Sequence, residues 1–467
     1  MKILLLNPPI IMSNKIFMKE LGRCGSTASG NQFWPQTGLA YLASSAGKNE
    51  VRIIDGIAEK LTIADLLESA VSYSPRLVIL STTTPTFKND GVVLSLLKKK
   101  LPTAEFGFVG THTSWTPYES LKNSQADFII LNEPELTFSE LLYEKNKSKI
   151  RGIGYKKGAK IIINPHRGLS GNLDELPFPA RNLLPNEKYR MVLTNNEPFA
   201  TVVPSRGCPH QCIYCRVGYP WGKKFRQRTV ANVISEIEEI LDWHKIRNIV
   251  FMADTFTLDK DWILEFCSTI AEKDLDFTWL CNSRVDTLDE EMIIAMKQAG
   301  CTTISFGVES ASQKILDRAK KNLDITKAKA VFFLVKKHGI KSFAYFVIGL
   351  PGETKDTVKE TISFSKELDP DYVNFHIATP HPGTELHKMA VKNNWIQDYD
   401  YDHYDQSGNY SVMSNEELSA ADILKAQKRA MREFYFRPKI FARQLSRIKT
   451  KDHLLSVAKI GLSILKK

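Results

Sequence analysis

Three cysteines of the chain lie close together with the spacing of metal ligands. Cys208, Cys212 and Cys215 stand in the segment Ser-Arg-Gly-Cys-Pro-His-Gln-Cys-Ile-Tyr-Cys, which gives the pattern C-x3-C-x2-C. Three thiolates within eight residues can bind one face of a cubane [4Fe–4S] cluster and leave its fourth iron open for a substrate-derived ligand. The alternative is a zinc ion whose fourth ligand is His210. Zinc sites usually draw paired ligands from two knuckles, and the sequence has no second knuckle.

The remaining cysteines give no sign of a disulfide framework. Cys24, Cys267, Cys281 and Cys301 bring the total to seven, an odd number in a chain of 467 residues, which favours a reducing compartment. Cys24 lies in a predicted loop before Trp34 and is interpreted as a small buried residue or as a contact of a cofactor or substrate. The other three are interpreted as packing. No apolar window of about 18 residues occurs, and the first apolar run is too short for a secretory signal. We therefore expect a cytoplasmic protein.

The elements that must position these residues alternate between strands and helices. In residues 1–145, five apolar runs are each followed by a segment with helical spacing, at 2–9, 51–56, 77–86, 105–112 and 127–135. This alternation predicts an α/β fold with a flavodoxin-like, Rossmann-type sheet of five parallel strands. Ligands of such sheets bind beyond the carboxyl ends of the strands. Small polar residues follow four of these strands, at 7–9, 81–84, 110–114 and 132–135.

The rest of the chain divides into three regions. Residues 146–193 are predicted to be a linker, with a hairpin in GIGYKKGAKIIINP and three prolines in LDELPFPARNLLP. Residues 194–390 contain six further strand–helix units, which predict a partial (β/α)6 barrel of the TIM type. Chemistry gathers at the carboxyl ends of barrel strands, and the cysteine motif follows the first of them. Residues 391–467 are predicted to be helical.

Positive charge is concentrated at the end of the chain. The net charge is +11, and residues 436–467 hold nine basic residues against one acidic residue, Asp452. The remainder is therefore nearly neutral, at +3, and we expect no nucleic-acid partner. Residues 453–467 place leucines on one helical face beside lysines, which predicts peripheral contact with the anionic inner face of a membrane. The alternative is a helix packed on the barrel with a solvated basic face.

The motif and the surrounding blocks resemble those of radical S-adenosylmethionine (SAM) enzymes. Tyr214 precedes the last cysteine as an aromatic residue does in that signature, and the strand-end motifs FGVES (306–310), FVIGLPGET (346–354) and ATPHPGTEL (378–386) agree. The N-terminal sheet resembles the cobalamin-binding domain of the B12-dependent branch. Within that branch, LGRCGS (21–26), WPQTGLAYLAS (34–44) and REFYFRPK (432–439) resemble the group of anaerobic magnesium-protoporphyrin ester cyclase and the hopanoid and other lipid-modifying enzymes.

The resemblance implies that SAM binds the open iron and is cleaved to a 5′-deoxyadenosyl radical, which takes hydrogen from an unactivated carbon. The SAM contacts that it implies are Tyr214, Asp254, Arg284, Glu309, Gly349, Pro351 and Gly352. Asp254 stands where many relatives have a Gly-Gly-Glu acid, so Ala-Asp-Thr departs from their pattern. The structural alternatives are a helix N-cap at Asp254, an ion pair of Arg284 with Asp286 or Glu309, a paired buried acid at Glu309, and a plain turn at the glycines.

For cobalamin, the resemblance implies contacts from the strand ends of the first domain. They are Asn7, Pro8, Thr82, Thr83, Gly110, His112 and Glu133. No Asp-x-His-x-x-Gly sequence occurs, so no histidine is expected to ligate cobalt as in methionine-synthase-like domains. His112 alone is more often a loop histidine, and its position at a strand end favours a contact.

The predicted function is an oxygen-sensitive radical SAM C-methyltransferase that acts on an apolar small molecule or lipid, with a flavodoxin- or ferredoxin-like electron donor. Two alternatives stay open: a cobalamin-dependent cyclase or rearrangement enzyme, and a B12-binding sensor with an inactive barrel. A methylthiotransferase needs further N-terminal cysteines for a second cluster, and only Cys24 is present there.

Overall fold

The computed structural model describes residues 1–13, 16–20, 23–27, 32–216, 222–448 and 450–466. The chain forms two compact units. Unit 1 comprises Met1–Tyr189, Arg216–Gly222 and Asp400–Asp402, and unit 2 comprises Arg190–Cys215, Lys223–Tyr399 and His403–Lys467. The α/β fold with parallel sheets is confirmed.

Unit 1 is built on a seven-stranded sheet. Its strands and those of a separate hairpin are β1 (Lys2–Asn7), β2 (Ile16–Glu20), β3 (Arg23–Thr27), β4 (Glu50–Asp55), β5 (Leu77–Ser81), β6 (Glu105–Val109), β7 (Phe128–Ile130), β8 (Ile153–Lys157) and β9 (Lys160–Ile163). The helices are α1 (Thr37–Ser44), α2 (Ile63–Tyr73), α3 (Phe87–Lys100), α4 (Thr111–Trp115), α5 (Pro117–Lys122) and α6 (Pro134–Tyr143). The sheet order is β4-β1-β5-β6-β7-β8-β9, and β2 and β3 form a two-stranded sheet of their own.

The five predicted strands are the parallel part of this sheet. Strands β4, β1, β5, β6 and β7 pair in parallel, in the order expected of a flavodoxin-like sheet. The hairpin predicted in the linker is present as β8 and β9, but it extends the first sheet, because β8 pairs antiparallel with β7. The sheet therefore has two strands more than the five predicted.

Unit 2 contains six parallel strands in sequential order. They are β10 (Ala200–Val202), β13 (Asn248–Phe251), β14 (Thr278–Ser283), β15 (Cys301–Glu309), β16 (Lys341–Ile348) and β17 (Tyr372–Ile377), and a small ribbon joins β11 (Ser205–Arg206) to β12 (Arg226–Gln227). The helices are α7 (Val230–Trp243), α8 (Lys260–Glu272), α9 (Glu290–Gln298), α10 (Gln313–Arg318), α11 (Thr326–Lys337), α12 (Lys355–Leu368), α13 (Glu385–Lys392), α14 (Ala420–Tyr435), α15 (Pro438–Ser446) and α16 (Lys451–Lys466).

Apolar strand residues pack against the amphipathic helices to form the core of unit 2. Phe251, Trp279 and Phe306 are fully buried on three neighbouring strands. Apolar residues of α7, α8, α9, α11, α12 and α14 join this core, so helices cover the sheet, and the carboxyl ends of its parallel strands lie at one edge. Residues at those ends thus lie on adjacent strands although they are far apart in sequence.

Two of the C-terminal helices, which are part of unit 2, contact its last strand and the segment just before that strand. The Tyr435 hydroxyl on α14 donates to the Val373 carbonyl oxygen on β17 at 2.8 Å. On α15, Arg443 forms an ion pair with Asp369, and the following Arg447 forms one with Asp371. Within the described residues, no helix is both long enough and apolar enough to cross a bilayer.

Candidate functional site

The cysteine loop follows the first strand of the unit 2 sheet and is pinned at its centre. The Ile213 amide donates to the Ala319 carbonyl oxygen at 3.1 Å, and the Ile213 carbonyl oxygen accepts from the Leu386 amide at 2.9 Å. The Ile213 side chain is buried in a cluster of apolar residues. These anchors fix the backbone between two of the cysteines.

Within the described residues the three thiols form no disulfide bond, and they differ in exposure. Cys208 and Cys212 are partly buried and Cys215 is exposed. Nowhere in the described ranges do three or more His, Cys, Asp or Glu side chains come close enough to hold one metal ion together. A cubane cluster binds each thiolate at a different iron, so its ligands do not have to converge on one point. The donor set fits such a cluster.

Asp254 and Cys208 are brought together at this loop. Burial raises the pKa of the Cys208 thiol, and the nearby Asp254 carboxylate raises it further. Asp254 is half-buried in the segment that follows β13. A negative charge at this position suits a cationic ligand, such as the ammonium group of SAM. The role of Asp254 toward SAM stays a prediction.

Arg284 is engaged by protein groups at the end of β14. Its Nε and Nη2 atoms donate to the two carboxylate oxygens of Asp286 at 2.8 and 2.7 Å. Nη2 also donates to the carbonyl oxygens of Lys321 and Asn322, each at 3.0 Å. The ion pair with Asp286 is one of the alternatives that the sequence left open. A role of Arg284 toward the SAM carboxylate stays a prediction.

Glu309 ends β15 in an unusual backbone conformation. Its φ is 70°, and the pairing of β15 with β16 shifts register between Gly307 and Glu309. The Lys321 ammonium donates to the Glu309 Oε1 atom at 2.8 Å, and both side chains are buried. A Cβ on Gly307 would lie 2.5 Å from that oxygen, so the close contact requires glycine. Left-handed, non-glycine residues next to bulges are enriched at functional sites.

Two buried polar atoms of the cysteine loop lack hydrogen-bond partners among the residues that the structure describes. The Tyr214 hydroxyl lies near the Glu309 carboxylate, and burial raises its pKa well above the ordinary value. The Nε2 atom of His210 is also buried without a partner, and burial lowers the pKa of this imidazole. Orphaned polar atoms inside a protein call for a ligand or water. Both side chains belong to the cysteine loop, so the surroundings of the loop fit a bound polar cofactor.

The glycine motif after β16 forms a tight turn. Gly349 and Gly352 have φ values of 94° and 80°, which L side chains rarely adopt, and Pro351 is buried between them. The Gly349 amide donates to the Glu353 Oε2 atom at 2.5 Å, while no described residue donates a hydrogen bond to the buried Oε1 atom. Burial raises the pKa of Glu353 to about 8. The sequence motif contains Glu353, but prediction from sequence assigned it no role.

In unit 1, the carboxyl edge of the sheet also carries buried polar atoms. The Asn7 amide donates to the Asp55 carboxylate at 2.7 Å, and the Tyr189 hydroxyl donates to the same group at 3.1 Å. Burial raises the pKa of Asp55 to about 6. The hydroxyls of Thr82 and Thr111 are buried and have no hydrogen-bond partner in the described ranges of the chain. Pro8 is buried beside Asn7. Asp55 ends β4, and the sequence prediction missed it because its partners are distant in sequence.

At this edge the backbone of Gly110 passes so close to that of Thr82 that only glycine fits. Gly110 has a φ of 140°, and a Cβ there would lie 2.0 Å from the Thr82 carbonyl oxygen. The Thr82 amide donates to the Val109 carbonyl oxygen at 2.9 Å. Together with the unpartnered hydroxyls, this arrangement gives a polar edge that fits a cofactor with amide groups at its rim.

The other predicted contacts of unit 1 are engaged within that unit. The Thr83 hydroxyl lies 3.1 Å from that of Thr86. His112 is on α4, with its ring nitrogens 3.4 and 3.3 Å from the hydroxyls of Thr84 and Thr116. Burial lowers the pKa of His112 to about 3, so the imidazole is neutral. Glu133 accepts from the Ser170 amide at 3.0 Å.

The structure thus gives two sets of predicted residues, one in each unit. In unit 2, Cys208 lies beside Asp254, Tyr214 beside Glu309, and Lys321 contacts both Arg284 and Glu309. Gly349, Pro351 and Gly352 follow the next strand. In unit 1, the predicted residues lie at the ends of β1, β5, β6 and β7. The side chain of Cys24 lies outside the described part of the structure, and its backbone belongs to β3.

Comparisons with known proteins agree with this arrangement. The profile of the Radical SAM superfamily matches residues 202–365, which include the cysteine loop. The chain is 34% identical over 451 residues to an uncharacterised methyltransferase of Pyrococcus horikoshii, with 95% of each chain covered. It is 26% identical over 394 residues to the anaerobic magnesium-protoporphyrin IX monomethyl ester cyclase of Rubrivivax gelatinosus, with 81% of this chain and 70% of the relative covered.

A solved structure shares the fold over almost the whole length. The cobalamin-dependent SAM radical enzyme OxsB, with aqua-cobalamin and SAM bound, superposes with a TM-score of 0.73 at 16% identity. The match covers 99% of this chain and 72% of that chain. A [4Fe–4S] cluster and SAM are the cofactors that the matched domain implies. The chain belongs to the radical SAM enzymes and shares a family with the methyltransferase of Pyrococcus horikoshii.

Proposed function

We propose that this chain is a cobalamin-dependent radical SAM C-methyltransferase acting on an apolar substrate. The observation that carries the proposal is the placement of the cysteine triad after β10. Asp254, Arg284, Glu309 and the glycine turn follow the next strands of the same sheet. We further propose that these six strands form a partial barrel of the TIM type. A bound cluster would pass one electron from a reductant to SAM for its reductive cleavage, and bound methylcobalamin would supply the methyl group.

The chain's own residues hold and orient these groups. Cys208, Cys212 and Cys215 bind the cluster. Asp254 and Glu309 receive the ammonium or ribose hydroxyls of SAM, because both carboxylates lie beside the cysteine loop. The turn at Gly349 lets the backbone approach the adenosine without a Cβ in the way.

In unit 1, the strand-end residues form the cobalamin site. The Thr82 and Thr111 hydroxyls, unpartnered and buried, would bind amide groups of the corrin. The Gly110 backbone leaves room at the same edge. His112 is neutral and both of its nitrogens are near hydroxyl partners, so it contributes packing at this edge and no cobalt ligand.

Anaerobic turnover tests the proposed reaction. The reconstituted protein would be incubated with SAM, methylcobalamin, dithionite and a lipid extract, and the products analysed by mass spectrometry. A methyltransferase forms 5′-deoxyadenosine and S-adenosylhomocysteine in equal amounts, with a product larger by one methylene group. The cyclase-like alternative, favoured by the porphyrin-ring relative, forms 5′-deoxyadenosine with little S-adenosylhomocysteine. A protein that cleaves no SAM under these conditions would instead be a sensor.

In the cell, we propose that a flavodoxin or ferredoxin supplies the electron for SAM cleavage.

The C-terminal helices carry exposed apolar side chains that could contact a membrane from which an apolar substrate is taken up. Phe441 on α15 and Leu455 and Leu462 on α16 are more than half exposed, at 62%, 55% and 55%. Lys459 is exposed on the same helix as the two leucines. Arg443 and Arg447 are used in ion pairs with unit 2, so the basic charge open to a membrane is smaller than the sequence indicates. We propose that α15 and α16 rest on an anionic bilayer.

Vesicle sedimentation checks this membrane contact. The double variant Leu455→Asp, Leu462→Asp should bind phosphatidylserine-containing vesicles about tenfold or more weakly, since two apolar anchors are lost. Trp243→Asp is the matched control, because Trp243 is an exposed aromatic residue at the end of α7. Equal binding by the wild type and the double variant would contradict the membrane contact and favour a solvated helix packed on unit 2.

A further inference from the structure

Strands β16 and β17 carry different residues on the two faces of the unit 2 sheet. On one face, the buried apolar core beneath the helices includes Ala344, Phe346, Ile348, Val373, Phe375 and Ile377. Side chains of a strand alternate between the two faces. The face away from the helices therefore holds the residues in between, of which four are only half-buried: Phe343, Tyr345, Asn374 and His376. Their partial exposure means that a ligand can reach this face.

Three rings on this face form a stack. The ring centroids of Phe343 and Tyr345 are 4.6 Å apart with an interplanar angle of 22°, and those of Tyr345 and His376 are 5.5 Å apart with an angle of 24°. In the strand pairing, His376 lies opposite Val347, two residues beyond Tyr345. The stack thus runs along β16, crosses to β17 and has His376 nearest the strand ends. Near-parallel rings of this kind suit a further planar ring in the same orientation.

A polar group lies beside the stack. Asn374 pairs with Tyr345 across the two strands, and its side-chain amide makes no hydrogen bond to the residues that the structure describes. An amide offers one acceptor oxygen and two donor hydrogens. Covering it with hydrocarbon would leave these groups unpaired, at a cost in free energy. A ligand that covers this face therefore needs a hydrogen-bonding group opposite Asn374.

The stack lies next to a residue proposed to hold SAM. On its other side, Tyr345 pairs with Gly307 of β15, two positions before Glu309. A Cβ on Gly307 would lie 2.5 Å from the Glu309 Oε1 atom, so this carboxylate fills the place of a side chain at Gly307. Neighbouring strands are about 5 Å apart. A ligand on Tyr345 would therefore lie close to the Glu309 carboxylate.

We propose that this face binds the substrate, and that the substrate has a planar unsaturated ring with a hydrogen-bonding group at its rim. Tyr345 and His376 contact the ring, and Asn374 contacts the rim group. The inference rests on the proposed function, because it takes the ligand beside SAM to be the molecule that is methylated. It narrows the proposed apolar substrate to a class that excludes saturated hydrocarbons, whether open-chain or cyclic.

Binding of three compounds of similar size tests this class. Naphthalene-2-carboxamide has both the planar ring and the rim amide, naphthalene lacks the amide, and decahydronaphthalene-2-carboxamide lacks the planar ring. They would be dialysed to equilibrium against the reconstituted holoenzyme with SAM and cobalamin, without a reductant. Naphthalene-2-carboxamide should bind at least about fivefold more tightly than each of the others. If it does not bind, or binds no better than either of them, the proposal is wrong.

Substitutions assign the contacts. Asn374→Leu should weaken binding of naphthalene-2-carboxamide about tenfold and leave that of naphthalene unchanged or tighter. Tyr345→Leu should weaken binding of both planar compounds and spare the saturated amide. Asn393→Leu and Tyr399→Leu are matched controls, because both side chains are exposed after α13 and away from this face. Iron content and SAM affinity report on folding, and Asn374→Ser replaces Asn374→Leu if the latter loses iron. An equal loss for all three compounds would contradict the assigned contacts.

Turnover separates this inference from the proposed function. If naphthalene-2-carboxamide shows the expected preference but the reduced enzyme forms no methylated product from any extract, the proposed function fails and the ligand class stands. If the methylated products are saturated lipids and the preference for the planar amide is absent, the ligand class fails and the methyltransferase function stands.

Discussion

Replacing Cys212 by alanine is expected to abolish cleavage of SAM, with a loss of at least about a thousandfold in the rate of 5′-deoxyadenosine formation. The change removes only the thiol. The loop keeps its backbone anchors, since Ile213 is held through main-chain groups to Ala319 and Leu386. The variant should therefore fold with near-normal stability and fail to retain its cluster. Iron content, the visible absorbance of the cluster and product formation under dithionite are the measurements.

Cys267→Ala is the matched control for that experiment. Cys267 is buried on α8 in the core of unit 2 and lies among apolar side chains. Its replacement leaves a small cavity and should cost about 1 kcal/mol of folding free energy while iron content and activity are kept. A Cys212→Ala protein with wild-type iron and activity would show that Cys212 is not a cluster ligand. The cysteine assignment would then fail.

The strands could be predicted because their composition reflects their environment. Parallel strands covered on both faces are nearly continuous apolar runs, as in Leu4–Leu6 and Ile129 of unit 1 and Phe306 of unit 2, all of which are buried. The strand ends could also be predicted, because the chain turns polar where the sheet stops. These two signals were enough to place the cysteine loop and the strand-end acids at one edge of a sheet.

The hairpin of β2 and β3 could not be predicted in the same way. Lys19 on β2 is charged, which usually indicates exposure, yet it is buried against Asp90 at 2.9 Å. The Lys19 ammonium also lies near the Ser81 carbonyl oxygen, at 3.4 Å, where β5 ends. The two charged partners are 71 positions apart in sequence, so the pair is created by the fold and has no local signature.

The same limit applies to the residues that complete the site. Lys321, Asp55 and Glu353 are recognised by their buried partners, and a single sequence shows only that they are charged. His112 shows the same limit from the other side. Its position after a strand predicts a ligand contact, which stays a prediction, while nothing in the sequence indicated its two hydroxyl neighbours or its ring contact with Phe87, at 4.4 Å between centroids.

Glu353 gives the second large expected effect, because it is a fully buried carboxyl group and no counter-charge faces it among the described residues. Its pKa is raised from 4.5 to about 8, mainly by burial, while the amides of Gly349 and Leu350 partly offset this. The folded state therefore holds the proton more tightly than the unfolded chain does. The stability that this group contributes is fully present below pH 4.5 and is lost progressively as the pH rises toward about 8.

Glu353→Gln should remove this pH dependence. The neutral amide has the same shape as the protonated acid, and its oxygen can accept from the Gly349 amide as Oε2 does. We expect the variant to match the wild type near pH 4.5 and to exceed it by about 3 kcal/mol at pH 7. Urea unfolding of the anaerobic holoenzyme at several pH values measures the difference.

Glu433→Gln provides a control of opposite sign. Lys366 and Arg429 lower the pKa of the Glu433 carboxyl group on α14, so this acid stabilises the fold when it is ionised. At pH values above the ordinary pKa of glutamate, the substitution should therefore lower the free energy of unfolding. The loss should be small, because these ion pairs are partly solvated. If Glu353→Gln and the wild type lost stability in parallel between pH 5 and pH 8, Glu353 would have to be ionised in the folded protein. In that case an additional positive group would have to lie near Glu353 and offset the effect of burial on the pKa of its carboxyl group.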